Sequence, residues 1–267
     1  MLNKFRKNDQ FLDERSTFLS GIGVPEKVEF VADQFQLSAI ESAVNGLDTL
    51  VVAPTGSGKT FIAEQAIRVA VEQGKRAIYT TPLKALTNSK YNEFKIKFPN
   101  YTTGILTGDR KIDGNAQILV ATTEIYRNEL YNLRETYSLV VLDEIHYIAD
   151  EQRGAVWEES IILSPKSSTL LMLSASISNP GEIADWIKSV RNNDVTIIKK
   201  EGRPVELRWG FLHPENGVLP LSKNSGEIFQ AVDSFYKAGG INQYQSRSRD
   251  GKSRDGKKNF RSGRGRR

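Results

Sequence analysis

The stretch LVVAPTGSGKT, Leu50 to Thr60, constrains the fold of this chain more than any other part of it. An apolar run breaks into a turn with two glycines and passes straight into Ser57 to Glu72, whose apolar spacing is helical. Gly56 and Gly58 remove the side chains that would hold backbone amides away from an anion, and the helix N-terminus behind them adds a favourable dipole. The pattern predicts a phosphate cradle formed by Pro54, Thr55, Gly56, Ser57, Gly58, Lys59 and Thr60. Lys59 would span the β- and γ-phosphates of a nucleotide and the Thr60 hydroxyl would ligate magnesium. Ala53 stands where the strict GxxxxGK[ST] pattern has glycine, so the signature is relaxed at its first residue. Outside this setting the same residues would read as an ordinary turn, and the strand before and helix after them are what single them out.

A second apolar run, SLVVLDEIHYIAD, ends in the adjacent carboxylates Asp143 and Glu144. Nucleotide hydrolysis needs one carboxylate to hold magnesium and another to orient or deprotonate water, and Asp143 and Glu144 are assigned these roles in that order. A DE pair is also a common way to end a strand, and it gains its meaning from the upstream loop.

Short apolar runs alternate with amphipathic segments along most of the chain. Strands are expected at Thr49 to Ala53, Arg76 to Thr81, Thr103 to Leu106, Gln117 to Ala121, Leu139 to Asp143, Leu170 to Ser174 and Val195 to Lys199. Helices are expected at Ser57 to Glu72, Leu83 to Lys97, Glu124 to Leu133 and Pro180 to Val190. Strands apolar on both faces and joined by helices give an α/β three-layer sandwich around a mostly parallel sheet, with ligands at the carboxyl ends of the strands. Beyond Arg203, VELRWGFLH reads as a strand and Glu227 to Lys237 as a helix. With no Cys and two His, the chain has no material for a disulfide framework, a zinc ribbon, a thiol nucleophile or an iron–sulfur cluster. It shows no secretory signal and no apolar run of membrane-spanning length, so a soluble, cytoplasmic protein is expected.

The net charge of +5 is unevenly spread. Ser246 to Arg267 carries ten Lys and Arg against Asp250 and Asp255, which leaves 27 basic and 30 acidic residues elsewhere. This Arg-, Ser- and Gly-rich tail holds Phe260 as its single aromatic and is expected to be disordered. It reads either as a solubilising end or as an arm contacting RNA phosphates without reading sequence.

DEIH at Asp143 to His146 is a DExH box, and the motifs around it resemble those of superfamily-two helicases. The segments YTTPLKALTNSKYNEF, LTGD, ATTEIYRNELY, IADEQRGAVWEE and SASISNPGEIADWI resemble, in order, those of superkiller-type and exosome-cofactor RNA helicases, over roughly Phe35 to Arg203. The resemblance implies a RecA-like P-loop NTPase fold that binds ATP and magnesium and works on RNA. Carried onto this sequence, it assigns Pro82, Lys84, Gly108, Thr122 and Thr123 to the phosphates and sugars of one nucleic-acid strand, contacts that specify no sequence. Read alone, these are loop and cap residues. The resemblance makes Ser174 and Ser176 the motif coupling hydrolysis to strand movement, with Ser for the usual Thr at 176, and has His146 link the nucleotide site to it by a hydrogen bond. His213 has no partner motif and is read as non-functional.

Upstream, FQLSAIESAV aligns with the helix that grips adenine in these helicases. Glu41 lies where a Gln is expected and, when ionised, cannot donate to the base; Phe35 either stacks on adenine or is buried at the helix start. The expected organisation is a lead-in over 1–34, the ATP-binding domain over 35–202, the start of a second domain over 203–240 and the basic tail over 241–267. Nothing after Arg203 resembles the family's arginine-finger motif, so a second RecA-like domain on a separate chain is an expected partner and weak hydrolysis by this chain alone is expected. Two other readings stay open: a DNA-directed helicase of the same superfamily acting on single-stranded DNA, and a non-catalytic, nucleotide-gated RNA-binding module.

Overall fold

The structure is a computed structural model describing residues 12–20, 31–132, 137–203, 207–222 and 226–239. Their contacts separate a larger unit, within 31–203, from a smaller one. The basic tail lies outside the described residues.

The larger unit opens with helix α1 (Gln34–Val44). Strands β1 (Asp48–Val52), β2 (Ala77–Thr81), β3 (Thr103–Leu106), β4 (Lys111–Ile112), β5 (Ile118–Thr122), β6 (Leu139–Leu142), β7 (Thr169–Ser174) and β8 (Val195–Lys199) form one sheet in the order β4-β3-β5-β2-β6-β7-β1-β8. Every pairing is parallel except β3 with β4. Helices α2 (Lys59–Glu72), α3 (Lys84–Lys97), α4 (Thr123–Tyr131), α5 (Gly154–Leu163) and α6 (Pro180–Arg191) connect the strands, with a 3-10 turn at Ile145–Ala149.

The three layers follow from strand alternation. Val51, Tyr79, Val141 and Leu171 pack with Phe35, Ile62, Ile67 and Phe94 from α1, α2 and α3. Leu50, Ile78, Val140 and Met172, one residue out of step, pack with Tyr126, Trp157 and Ile187 from α4, α5 and α6. Each such aliphatic or aromatic side chain contributes roughly 1.5–3 kcal/mol on burial, so a strand clothed on both faces needs the near-continuous apolar run read in the sequence. The expected mostly parallel α/β sandwich is therefore what the chain adopts.

In the larger unit, one helix and one strand were not expected. Helix α5 buries Gly154 and Ser160 beside Trp157 and Ile161 and exposes Ile162 and Leu163 as well as Glu158, so GAVWEESIIL gave no amphipathic stripe. A Cβ at Gly154 would collide with the Ile148 carbonyl, and the missing side chain lets α5 start against the 3-10 turn. Strand β4 has two exposed residues and no apolar pattern. Asp143, expected to end β6, lies beyond it; its carboxylate accepts from the Glu144 amide, and Glu144 takes a left-handed backbone at φ 54°.

At the amino-terminal end of β1, away from the loop, Asp48 opens the strand and Arg191 closes α6, joined by a fully buried ion pair of 2.7 Å. Arg191 also donates to the carbonyls of Ser164 and Ser168, and Asp48 accepts from the Leu170 amide.

In the smaller unit, residues 12–19 are helical, β9 (Gly210–His213) pairs antiparallel with β10 (Gly217–Pro220), and α7 spans Gln230–Lys237. The strand expected over VELRWGFLH is confined to its last four residues among those described. His213 accepts at Nδ1 from the Glu215 and Asn216 amides, which is turn capping.

Candidate functional site

The site residues emerge at the carboxyl ends of three neighbouring strands. The Gly-rich loop follows β1, the serine motif ends β7, and the acidic pair follows β6, so β7 stands between loop and carboxylates. The Ala53 amide donates to the Ser174 carbonyl at 3.0 Å, which fixes the start of the loop to the serine motif.

Gly56 and Gly58 have φ of 86° and 83°, a backbone that residues with a Cβ rarely adopt, and Gly58 turns the chain into α2. No side chain caps the start of α2, where the Phe61 amide donates to the Gly58 carbonyl at 3.0 Å. The Ser57 hydroxyl is buried without a hydrogen-bond partner among the described residues. Lys59 Nζ donates to the Ala53 and Pro54 carbonyls at 2.7 and 3.2 Å. Burial lowers its pKa, and the charges of Glu144 and Asp143 pull it back up, so ammonium and carboxylates share one field.

Asp143 is held at both oxygens: Oδ1 accepts from the Glu144 amide at 2.9 Å and Oδ2 from the Tyr79 hydroxyl at 2.5 Å. Burial raises its pKa, while these two donors lower it. Glu144 is also raised, by burial first and then by the Asp143 charge. Its Oε2 stands 3.3 Å from His146 Nδ1. Neither atom makes a hydrogen bond among the described residues, and the described side-chain hydrogen bonds of Ser174 and Ser176 run between those two residues and not to His146. His146 instead stacks on Tyr147, which stacks on Trp157 and lies under Arg153. Ser174 is buried and its hydroxyl meets the Ser176 backbone, whereas Ser176 is exposed.

The upstream helix requires a correction. Glu41 is exposed on α1 and is not directed at the loop by any described contact. Gln36 reaches it: its Nε2 donates to the Ser57 carbonyl at 2.9 Å, while its Oε1 accepts from the Asp33 amide. A Cβ at Gly58 would collide with this amide nitrogen. Sequence reading missed Gln36, although DQFQ carries the D-x-x-Q signature of a capping box, which the structure forms. Phe35 is buried at the helix start with Lys200 Nζ 5.7 Å from its ring centre.

The other assigned residues gather on the β2, β5 and β3 side. Pro82 is buried, and Lys84 begins α3 exposed, 3.2 Å from Asp109 in the loop that carries Gly108. Thr122 and Thr123 are buried at the start of α4, and Thr123 Oγ1 donates to the Thr81 carbonyl. Two helix starts and a hairpin loop thus lie at adjacent strand ends.

Residues 33–183 match the family model described as DEAD/DEAH box helicase. The chain is 44% identical over 207 residues to the DExH-box ATP-dependent RNA helicase DExH15, chloroplastic, of Arabidopsis thaliana, covering 74% of this chain and 18% of that protein. It is 42% identical to the probable helicase HelY of Mycobacterium tuberculosis, covering 68% and 20%, and 39% identical to human superkiller complex protein 2, covering 77% and 16%. The chain thus spans about a fifth of the length of the curated relatives it matches. Among solved structures, that of the DUF1998 helicase MrfA bound to DNA superposes with a TM-score of 0.54 at 19% identity, over 70% of this chain and 29% of that one, a likeness of fold. The chain belongs to the DEAD/DEAH box helicase family.

Proposed function

We propose that residues 35–202 form the ATP-binding domain of an ATP-dependent DExH-box RNA helicase. The observation that carries this reading is the placing of Lys59 and its glycine-rich loop after β1, and of Asp143 and Glu144 after β6, at the carboxyl ends of strands with β7 between them, the loop leading into a helix start that no side chain caps. The loop amides and Lys59 would take the triphosphate, Lys59 exchanging its carbonyl partners for phosphate oxygens. Gln36 would keep the loop in register. Glu144, raised in pKa and close to its neighbour's charge, is the group suited to accept a proton from water, because a stronger base gives up less driving force near neutral pH.

Thr60 and Asp143 offer the hard oxygen donors that magnesium prefers, and the ordered Asp143 carboxylate fits that role. Among the described residues no group of three or more His, Cys, Asp or Glu could hold a metal alone, so phosphates and water would complete the shell. When bound, the ion neutralises charge on the β- and γ-phosphate oxygens.

A nucleic-acid strand would run across the starts of α3 and α4 and the Gly108 loop, its phosphates facing backbone amides and Lys84. The Lys84–Asp109 pair is exposed and worth little, so it yields readily to a phosphate. RNA is preferred to DNA because relatives at 44% and 40% identity are named RNA helicases. Strand separation requires a second RecA-like domain to close on the nucleotide, attached or on a separate chain, and the basic tail would add phosphate contacts. No helix among the described residues is long and apolar enough to cross a membrane. A competition experiment with matched RNA and DNA single strands tests the substrate class: RNA should displace DNA at lower concentration, and equal or reversed affinity would move the reading to a DNA-directed enzyme.

A further inference from the structure

Tyr79 is fully buried in β2, in the layer of α1, α2 and α3, where the ring meets Phe94 edge-on at 5.3 Å. A tyrosine in such a place must find a partner for its hydroxyl, and this one donates to Asp143 Oδ2 across the boundary between β2 and β6. Because Oδ1 is fixed separately by the Glu144 amide, Tyr79 decides which way the remaining carboxylate edge faces. Two residues further along β2, Thr81 accepts from Thr123 and donates to the Leu83 carbonyl at the strand end assigned to nucleic acid.

We infer that Tyr79 is a positioning residue for the magnesium carboxylate Asp143, joining that group through one rigid strand to the nucleic-acid edge of the sheet. The inference rests on the proposed nucleotide site and adds a specific residue to it. The hydroxyl touches neither nucleotide nor nucleic acid. It presets the orientation in which Asp143 meets the cation, the part that outer hydrogen-bond partners play for metal ligands generally.

The test uses the full chain and a fluorescent ADP analogue, with affinity measured in magnesium and again in EDTA. Tyr79→Phe keeps the ring and removes the donor. The expected result is an unchanged affinity in EDTA and a loss of roughly 10–100-fold in the affinity gained from magnesium, the range typical of such outer partners. Asp143→Asn should abolish that gain, and Tyr79→Phe added to it should change nothing further. Parallel losses in EDTA and magnesium, with a lowered unfolding temperature, would show a purely structural role and overturn the inference. So would a magnesium gain equal to that of the parent chain. A parent chain that binds no nucleotide in either buffer overturns the site reading itself, and this inference with it.

Discussion

Replacing Arg191 by Met should destabilise the larger unit severely without touching the nucleotide site. Arg191 and Asp48 are each about 1% exposed, so the substitution leaves a carboxylate in the interior with only the Leu170 amide as partner. Removing one member of a buried pair costs about 3–5 kcal/mol, because the survivor keeps its desolvation penalty and loses its compensation. The carbonyls of Ser164 and Ser168 lose short donors as well, at about 1–3 kcal/mol each where water does not enter. The loss of the pair alone, about 3–5 kcal/mol, is a large part of a typical domain stability of about 5–15 kcal/mol, and at roughly 2–4 °C per kcal/mol it lowers the unfolding temperature by about 6–20 °C. Urea denaturation of Arg191→Met, Asp48→Asn and the double variant measures this, and the double variant should recover part of the loss. Below the transition, nucleotide affinity should be unchanged, because the pair sits where β1 begins and the loop where it ends. A single variant within about 1 kcal/mol of the parent would refute the reasoning, since a buried unpaired carboxylate cannot be that cheap.

Gln36→Glu preserves the acceptor that caps α1 and loses the donor to Ser57, so nucleotide affinity should fall by about 2–10-fold, the worth of one hydrogen bond, with little change in unfolding temperature. Glu144 has a folded-state pKa above its unfolded value, so stability is lost as pH rises from the ordinary glutamate range through the raised value. Glu144→Gln should therefore raise the unfolding temperature at neutral pH and leave it unaltered in acid, which calorimetry at the two pH values decides. For the same reason hydrolysis by the parent chain should fall on acidification at a pH above that of an ordinary glutamate.

The sheet was legible because strands clothed on both faces must be apolar throughout; β3 and β8 run as expected, and β1, β2, β5 and β7 begin or end one residue away. Boundaries slipped where a backbone decision depends on a side-chain contact, as at Asp143. Helix α5 was hidden because its buried face includes Gly154 and Ser160 while the apolar Ile162 and Leu163 are exposed, which blurs the amphipathic spacing. In the site, loop and acidic pair could be read because each sits at a strand end next to a required turn. Gln36 could not be placed by motif spacing alone: its importance lies in a bond spanning 21 residues, and the nearby Glu41 drew the alignment. Tyr79 was hidden among strand residues, since nothing in an apolar run marks which phenol meets a carboxylate 64 positions away.

Phosphate release from magnesium-ATP, with single-stranded RNA titrated in and Glu144→Gln run beside the parent chain, tests the central claim most directly. The account predicts slow release that rises with RNA and falls at least about 100-fold in the variant, as expected when a general base is removed, with nucleotide affinity retained. ATP bound by the parent chain with no turnover at any RNA concentration would contradict it and mark the chain as a nucleotide-gated binding module.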